Sequence, residues 1–231
     1  MSKVTDFIES NIELIDTENW EIFFAKAKVI LIQYDMPELR QVFDSCGINP
    51  LKYIDTIPAS WFSTDETLTH VDIPEGIKEI KNAAFCQCTK LESVTLPSTL
   101  RSLGYQAFEK CYKLDNIDLS NYPNTSLGSR IFADCSSLKN LKLPKCLEHM
   151  GTSTFAGCMN LRTITFPKTL KVIDKETFIR CQLLEDINFE GTIEQWKLVR
   201  RYNRAFVGVP AKTIKCKDGI TKLRPTTNWQ G

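Results

Sequence analysis

The sequence predicts a repeat solenoid: a β-rich stack of short strands, preceded by a small helical unit and followed by a closing segment. Three observations carry that expectation. Phenylalanine recurs at Phe62, Phe85, Phe108, Phe132, Phe155 and Phe178, spaced 23, 23, 24, 23 and 23 residues apart. Aliphatic residues keep the same period in two further columns, Leu68, Leu91, Leu114, Leu138, Leu161, Leu184 and Val71, Val94, Ile117, Leu141, Ile164, Ile187. A cysteine column, Cys88, Cys111, Cys135, Cys158 and Cys181, runs in step with them. Self-similarity at a fixed period marks units that cannot bury their apolar face alone and must stack to do so.

Bulk properties fit this. The chain has 231 residues, 42% hydrophobic and 25% charged, with a formal net charge of +1, which describes a globular protein with room for a core. No window approaches the run of about 18 apolar residues that a membrane span needs. Met1 to Ile15 carries Asp6, Glu9 and Glu13 where a secretory signal is basic and then apolar, so the expected setting is cytoplasmic. Nine cysteines is an odd number for a disulfide framework, and reduced, buried thiols are expected instead. Charge is unevenly placed: residues 1–56 hold ten acidic and five basic side chains, residues 190–231 three acidic and nine basic.

Taken in order, residues 1–56 have a helical period. Val4, Phe7, Ile8, Ile12 and Ile15 share one face, and Trp20, Phe23, Phe24, Ala27, Ile30 and Leu31 another; a third helix is expected from about Pro37 to Gly47, with proline in the first turn and glycine at the end. This unit reads either as a cap on the first repeat or as a module with its own partner.

Residues 57–190 make six repeats. Within each, Leu91, Val94 and Leu96 and their equivalents alternate as a short strand with one face inward, ended by Pro74, Pro97, Pro144 or Pro167, which cannot donate to a ladder. Stacked at about 4.8 Å, the strands are expected to form one continuous sheet. The third repeat has no Leu-Pro junction and one extra residue in Ser120-Asn121-Tyr122-Pro123-Asn124, so a local bulge is expected there.

Residues 191–231 depart from the repeat. Gly191 to Trp196 replaces the next Phe-Cys unit, Ile193 to Tyr202 reads as helical, and Ala211 to Cys216 alternates like a strand. The segment is expected to cap the stack. It brings Lys197, Arg200, Arg201, Arg204, Lys212, Lys215, Lys217 and Lys222 together in sequence, a basic patch of the kind that contacts phosphates.

The stretches from Ala84 to Pro97 and from Phe155 to Pro167 resemble the BspA-type leucine-rich repeat, over about residues 57 to 190. The resemblance implies a curved leucine-rich-repeat solenoid, a right-handed superhelix, whose members bind proteins or other macromolecules, many at cell surfaces. Gly47 to Pro58 is similar to the start of unexported repeat proteins of bacteria and their phages, which points to an intracellular role.

Catalytic signals are weak. The cysteine column puts thiols on neighbouring coils, as zinc ligands would be, yet small buried thiols filling an internal ladder explain it without a metal. Cys86 with Cys88 lacks a second matching pair. A nucleophile at Cys146 would need His149 or His70, which fall in different columns. There is no phosphate-binding glycine loop, Gly-x-Ser-x-Gly or His-Glu-x-x-His, so no catalysis, cofactor or metal is expected.

If the Leu91, Val94 and Leu96 positions point inward, their neighbours point out: His70 and Asp72, Ser93 and Thr95, Asn116 and Asp118, Asn140 and Lys142, Thr163 and Thr165, Asp186 and Asn188. These twelve positions are the expected binding face, polar and varied on a monotonous scaffold. The function read from the sequence is a non-catalytic protein-binding solenoid. Two alternatives stay open: an adaptor or inhibitor of a host or defence factor acting through the helical unit, and a nucleic-acid-associated protein using the basic patch.

Overall fold

The computed structural model describes residues 54–202 and 204–223, with Ser10, Asn11, Glu13 and Leu51. The helical unit expected over residues 1–56 lies almost wholly outside these residues. The remainder forms a β-solenoid of seven turns, one more than the sequence period indicates.

Each turn contributes two short strands. The longer set is β2 (His70–Asp72), β4 (Ser93–Thr95), β6 (Asn116–Asp118), β8 (Asn140–Lys142), β10 (Thr163–Phe166), β12 (Asp186–Phe189) and β14 (Thr213–Cys216). The two-residue set is β1 (Thr56–Ile57), β3 (Glu79–Ile80), β5 (Ser102–Leu103), β7 (Ser126–Leu127), β9 (His149–Met150), β11 (Val172–Ile173) and β13 (Arg200–Arg201). Neighbours within a set run parallel, as successive coils of one superhelix must. The last turn also holds α1 (Ile193–Leu198), between β12 and β13, and β15 (Gly219–Lys222), which turns back antiparallel on β14.

The expected alternation is present. Val71, Val94, Ile117 and Ile164 are buried while their strand neighbours face out. The expected continuous sheet is not. Hydrogen-bonded ladders join β2 to β4, β6 to β8, and β10 through β12 and β14 to β15; β4 neighbours β6, and β8 neighbours β10, without a ladder.

The third wall of each turn is neither helix nor strand, and no residue pattern announces its backbone conformation. It holds two residues in the left-handed region, such as Ala83 and Gln87, Gln106 and Lys110, or Ser153 and Gly157. That conformation costs non-glycine residues about 1–2 kcal/mol each. It turns alternate N–H groups toward the next coil, so Ala83, Phe85 and Gln87 each donate to a carbonyl of Tyr105, Ala107 or Glu109 at 2.8 Å. Saturating the buried backbone polar groups offsets the strain.

This wall carries the phenylalanine column inward. Successive rings from Phe62 to Phe178 stack with centroids 4.9 to 5.8 Å apart and planes within 10°. Phe206 extends the stack as a seventh ring, 5.3 Å from Phe178. Three residues beyond each phenylalanine from Phe85 to Phe178 a cysteine thiol donates to the carbonyl of the preceding coil's phenylalanine, Cys111 to Phe85 at 3.2 Å and Cys181 to Phe155 at 3.2 Å.

The seventh turn is hidden in the sequence because α1 lengthens the repeat: Phe206 follows Phe178 by 28 residues and Ile214 follows Ile187 by 27. The helix itself is shorter than expected. Thr192 and Gln195 form a reciprocal capping box at its start, and after Leu198 the backbone turns extended so that Arg200 and Tyr202 donate to Lys171 and Ile173, continuing the two-residue ladder. Trp196, 1% exposed, packs from the helix onto Phe166 and Phe189.

Candidate functional site

The strands place the expected binding residues on one surface. His70 stands beside Ser93 and Asp72 beside Thr95; Asn116 beside Asn140 and Asp118 beside Lys142; Thr163 beside Asp186 and Thr165 beside Asn188. All are exposed except Ser93 and Asn188, which are half-buried. A seventh rung, unread in the sequence, adds Thr213 and Lys215, the latter in register with Asn188.

Two of these outward positions, Asp118 and Lys142, form an ion pair. Lys142 Nζ lies 2.7 Å from Asp118, which also accepts from the Ser120 N–H at 2.9 Å and the Ser120 hydroxyl at 2.6 Å. The ammonium and these donors hold the Asp118 carboxyl down to about 2. Beside it, where β4 and β6 are not laddered, a groove of about 390 Å³ opens between Thr95, Ser98, Asn116, Asp118, Asn121 and Tyr122. Glu75 at its rim accepts from the Ser98 N–H at 2.8 Å and the Ser98 hydroxyl at 3.0 Å, which hold its carboxyl below the usual range.

The sequence reading missed the row immediately before each strand. Thr69, Glu92, Asp115, Lys139, Arg162, Glu185 and Lys212 are all exposed beside the outward positions. They occupy a column of the same period, and that periodicity was the available signal.

The basic patch does not assemble as expected. Lys197 pairs with Glu194 at 2.6 Å and Arg204 with Glu176 at 3.1 Å. Arg201 occupies the column of Leu127, Met150 and Ile173, and its guanidinium turns inward over the Trp196 ring, 4.6 Å from the centroid, donating to the Trp196 carbonyl at 2.6 Å. Burial lowers its pKa. Lys215 belongs to the strand face, Arg200 to the other sheet, and Lys212, Lys217 and Lys222 are exposed near the last hairpin.

The cysteines read as packing elements. Burial raises the thiols of Cys111, Cys135 and Cys158 far above their ordinary range and that of Cys181 to about 12, so the nucleophilic and metal-binding thiolate is disfavoured. Cys86 is also buried and raised. Cys146 faces the carbonyls of Pro123 and Asn124, each at 3.4 Å, while His149 Nε2 faces Asp174 at 3.1 Å. Among the described residues no three His, Cys, Asp or Glu side chains converge as metal ligands, and no helix is long and apolar enough to cross a membrane.

A seven-turn parallel stack with inward phenylalanine and leucine columns and an outward polar strand face defines a leucine-rich-repeat solenoid. The BspA type Leucine rich repeat region matches residues 55–185 and 120–227 in six copies, and the chain belongs to that family, one generally used for protein–protein interaction. Among solved structures it is similar to a leucine-rich repeat protein of T. pallidum, at 25% identity and TM-score 0.55, covering 68% of this chain and 70% of that one. It is also similar to a leucine-rich repeat protein of Bacteroides ovatus, at 26% identity and TM-score 0.60, covering 74% of this chain and 42% of that one. A Eubacterium ventriosum leucine-rich repeat protein, 20% identical with TM-score 0.54 over 77% of this chain and 49% of that one, shares the fold. The chain thus spans less than half the length of the last two. No curated protein matches it.

Proposed function

We propose that this protein is a non-catalytic binding module that engages a protein partner through the outward strand face of its solenoid. The observation that carries the reading is the contrast between the two sides of the same strands. Inward positions repeat aliphatic residues with little variation, while outward positions differ from coil to coil and stay exposed on a backbone fixed by ladders and by the phenylalanine stack. Residues 193–216 continue the stack as its seventh turn instead of forming a separate cap, and the closing role falls to β15, supported by its antiparallel return on β14, which ends the parallel succession. An intracellular setting is supported by the buried thiols, five of which donate to phenylalanine carbonyls.

The experiment is capture of partners by the full chain from nuclease-treated native lysate, beside a variant carrying Thr95→Lys, Asn116→Lys and Thr165→Glu. A stoichiometric protein retained by the parent chain and lost by the equally folded variant is the expected result. Retention by both overturns the assignment to this face.

A further inference from the structure

Coil by coil, the strand face is zoned by charge. In the fourth and fifth coils, residues 136–145 and 159–168 carry Lys139, Lys142, Lys145, Arg162 and Lys168, all exposed, and no Asp or Glu. The flanking coils are acidic: residues 113–122 hold Asp115 and Asp118 against one lysine, and residues 182–191 hold Glu185, Asp186 and Glu190 with no basic residue. Within the band, among the described residues, Lys142 is the one cation in an ion pair, and its partner Asp118 sits on the boundary coil. Lys139 and Arg162 therefore remain available beside the outward strand positions, with Lys145 and Lys168 exposed just past the strand ends. Between them lie Asn140, Thr163 and Thr165, exposed hydrogen-bonding groups, and the half-exposed thioether of Met159 at one end of the band.

The width of this band selects its occupant. Two coils at the inter-strand spacing of about 4.8 Å make a strip roughly 10 Å wide. A polyanion such as nucleic acid presents charge continuously, about one per 1.7 Å for a duplex, and lying along the solenoid it would run onto acidic coils on both sides. A polypeptide with a short run of carboxylates has no such conflict, because extended residues advance about 3.3 Å each and three span the strip. Like charges at the borders raise the cost of a longer or shifted anion and so fix its register.

We propose that the fourth and fifth coils form a docking site for a short acidic segment of a protein partner, with the acidic coils on either side excluding extended polyanions. The proposal rests on the strand face being the binding surface and adds the chemistry of what it binds.

The test uses the full chain and three probes: a fluorescent peptide of three glutamates flanked by glycine and serine, the same peptide with glutamine in place of glutamate, and a single-stranded oligothymidine. The triglutamate peptide is expected to bind in low salt, the glutamine peptide not at all, and oligothymidine no more tightly than triglutamate despite its greater charge. Lys139→Glu with Arg162→Glu should weaken triglutamate at least about tenfold, and the milder Lys139→Gln with Arg162→Gln should weaken it less, both without change in thermal midpoint. Lys212→Glu with Lys217→Glu should leave it unchanged. Tighter binding of oligothymidine, or triglutamate binding that survives Lys139→Glu with Arg162→Glu, overturns the proposal. So does absence of triglutamate binding; if a cellular partner is nonetheless lost in the Thr95, Asn116 and Thr165 variant, the strand face survives as the binding surface and its charge assignment does not.

Discussion

Gly157 stands between Asp134 and Arg180 in one column of left-handed positions, and those two side chains meet over it at 2.6 Å. A Cβ built at Gly157 falls 2.2 Å from the Asp134 carboxylate, so the pair can span the coil because nothing stands in its way. Gly157→Ala is expected to cost about 1–2 kcal/mol from the left-handed backbone alone. Asp134→Ala should cost less, since its partner Arg180 is largely exposed and solvent screens the pair; urea midpoints of the two variants check the order. Asp118 gives the pH dependence. Its folded pKa, about 2, lies below the unfolded value, so its contribution is fully present above the unfolded pKa near 4 and is lost as pH falls through about 2. An NMR carboxyl titration should find that midpoint near 2, moving upward in Lys142→Ala; a parent midpoint near 4 breaks the pairing. The thiols make a third case. A thiol reagent should label Cys146 in the native chain and reach Cys111, Cys135, Cys158 and Cys181 after unfolding, as followed by peptide mass.

At the scale of elements, the irregular third turn shows how one inserted residue is absorbed. The two-residue ladder breaks between β5 and β7. Tyr122 folds into the gap, 7% exposed, and its hydroxyl oxygen accepts the Leu103 N–H at 3.0 Å and the Asn124 side-chain amide at 2.8 Å. The Asn124 amide also donates to the Arg101 carbonyl, so a side-chain bridge replaces missing backbone bonds. Tyr122→Phe keeps the volume but leaves a buried N–H without its acceptor, a loss of about 1–3 kcal/mol. Hydrogen exchange should show the Leu103 amide deprotected while the amides of Phe155 and Phe178 keep their protection; unchanged exchange at Leu103 shows the bridge to be unimportant. The missing Leu-Pro junction and the spacing of 24 mark this site in the sequence. They do not show that a tyrosine turns inward, because that depends on which backbone groups the neighbouring coil leaves unsatisfied. The phenylalanine, leucine and cysteine columns were legible because every coil repeats one environment. The left-handed wall was not, since its positions hold Gln, Lys, Arg, Ser and Glu and carry no common side-chain signal.

Over the whole molecule, stability in a stack of this kind is the sum of nearest-neighbour contacts, so the ends decide where unfolding starts. The C-terminal end of the stack is held by a residue outside the repeat pattern. Trp196 lies 5.9 Å from Phe166 with planes within 7°, tilts onto Phe189 at 5.4 Å, and is covered in turn by the Arg201 guanidinium. It thus clamps the fifth and sixth coils to the seventh, a role the 23-residue period cannot announce because α1 is an insertion into it. Trp196→Ala removes a fully buried ring and should cost about 3–5 kcal/mol. The loss should be local to the last coils. In a two-state globule every amide would lose protection together; here the amides of Phe178, Cys181 and Ile187 should exchange faster by orders of magnitude while those of Phe85 and Phe108 change little. Hydrogen exchange by mass spectrometry on the parent and variant chains separates the outcomes, and uniform loss across all seven turns would show that the solenoid unfolds as one cooperative unit. Local loss would leave the basic band of the fourth and fifth coils in place, so binding of the triglutamate peptide should survive Trp196→Ala.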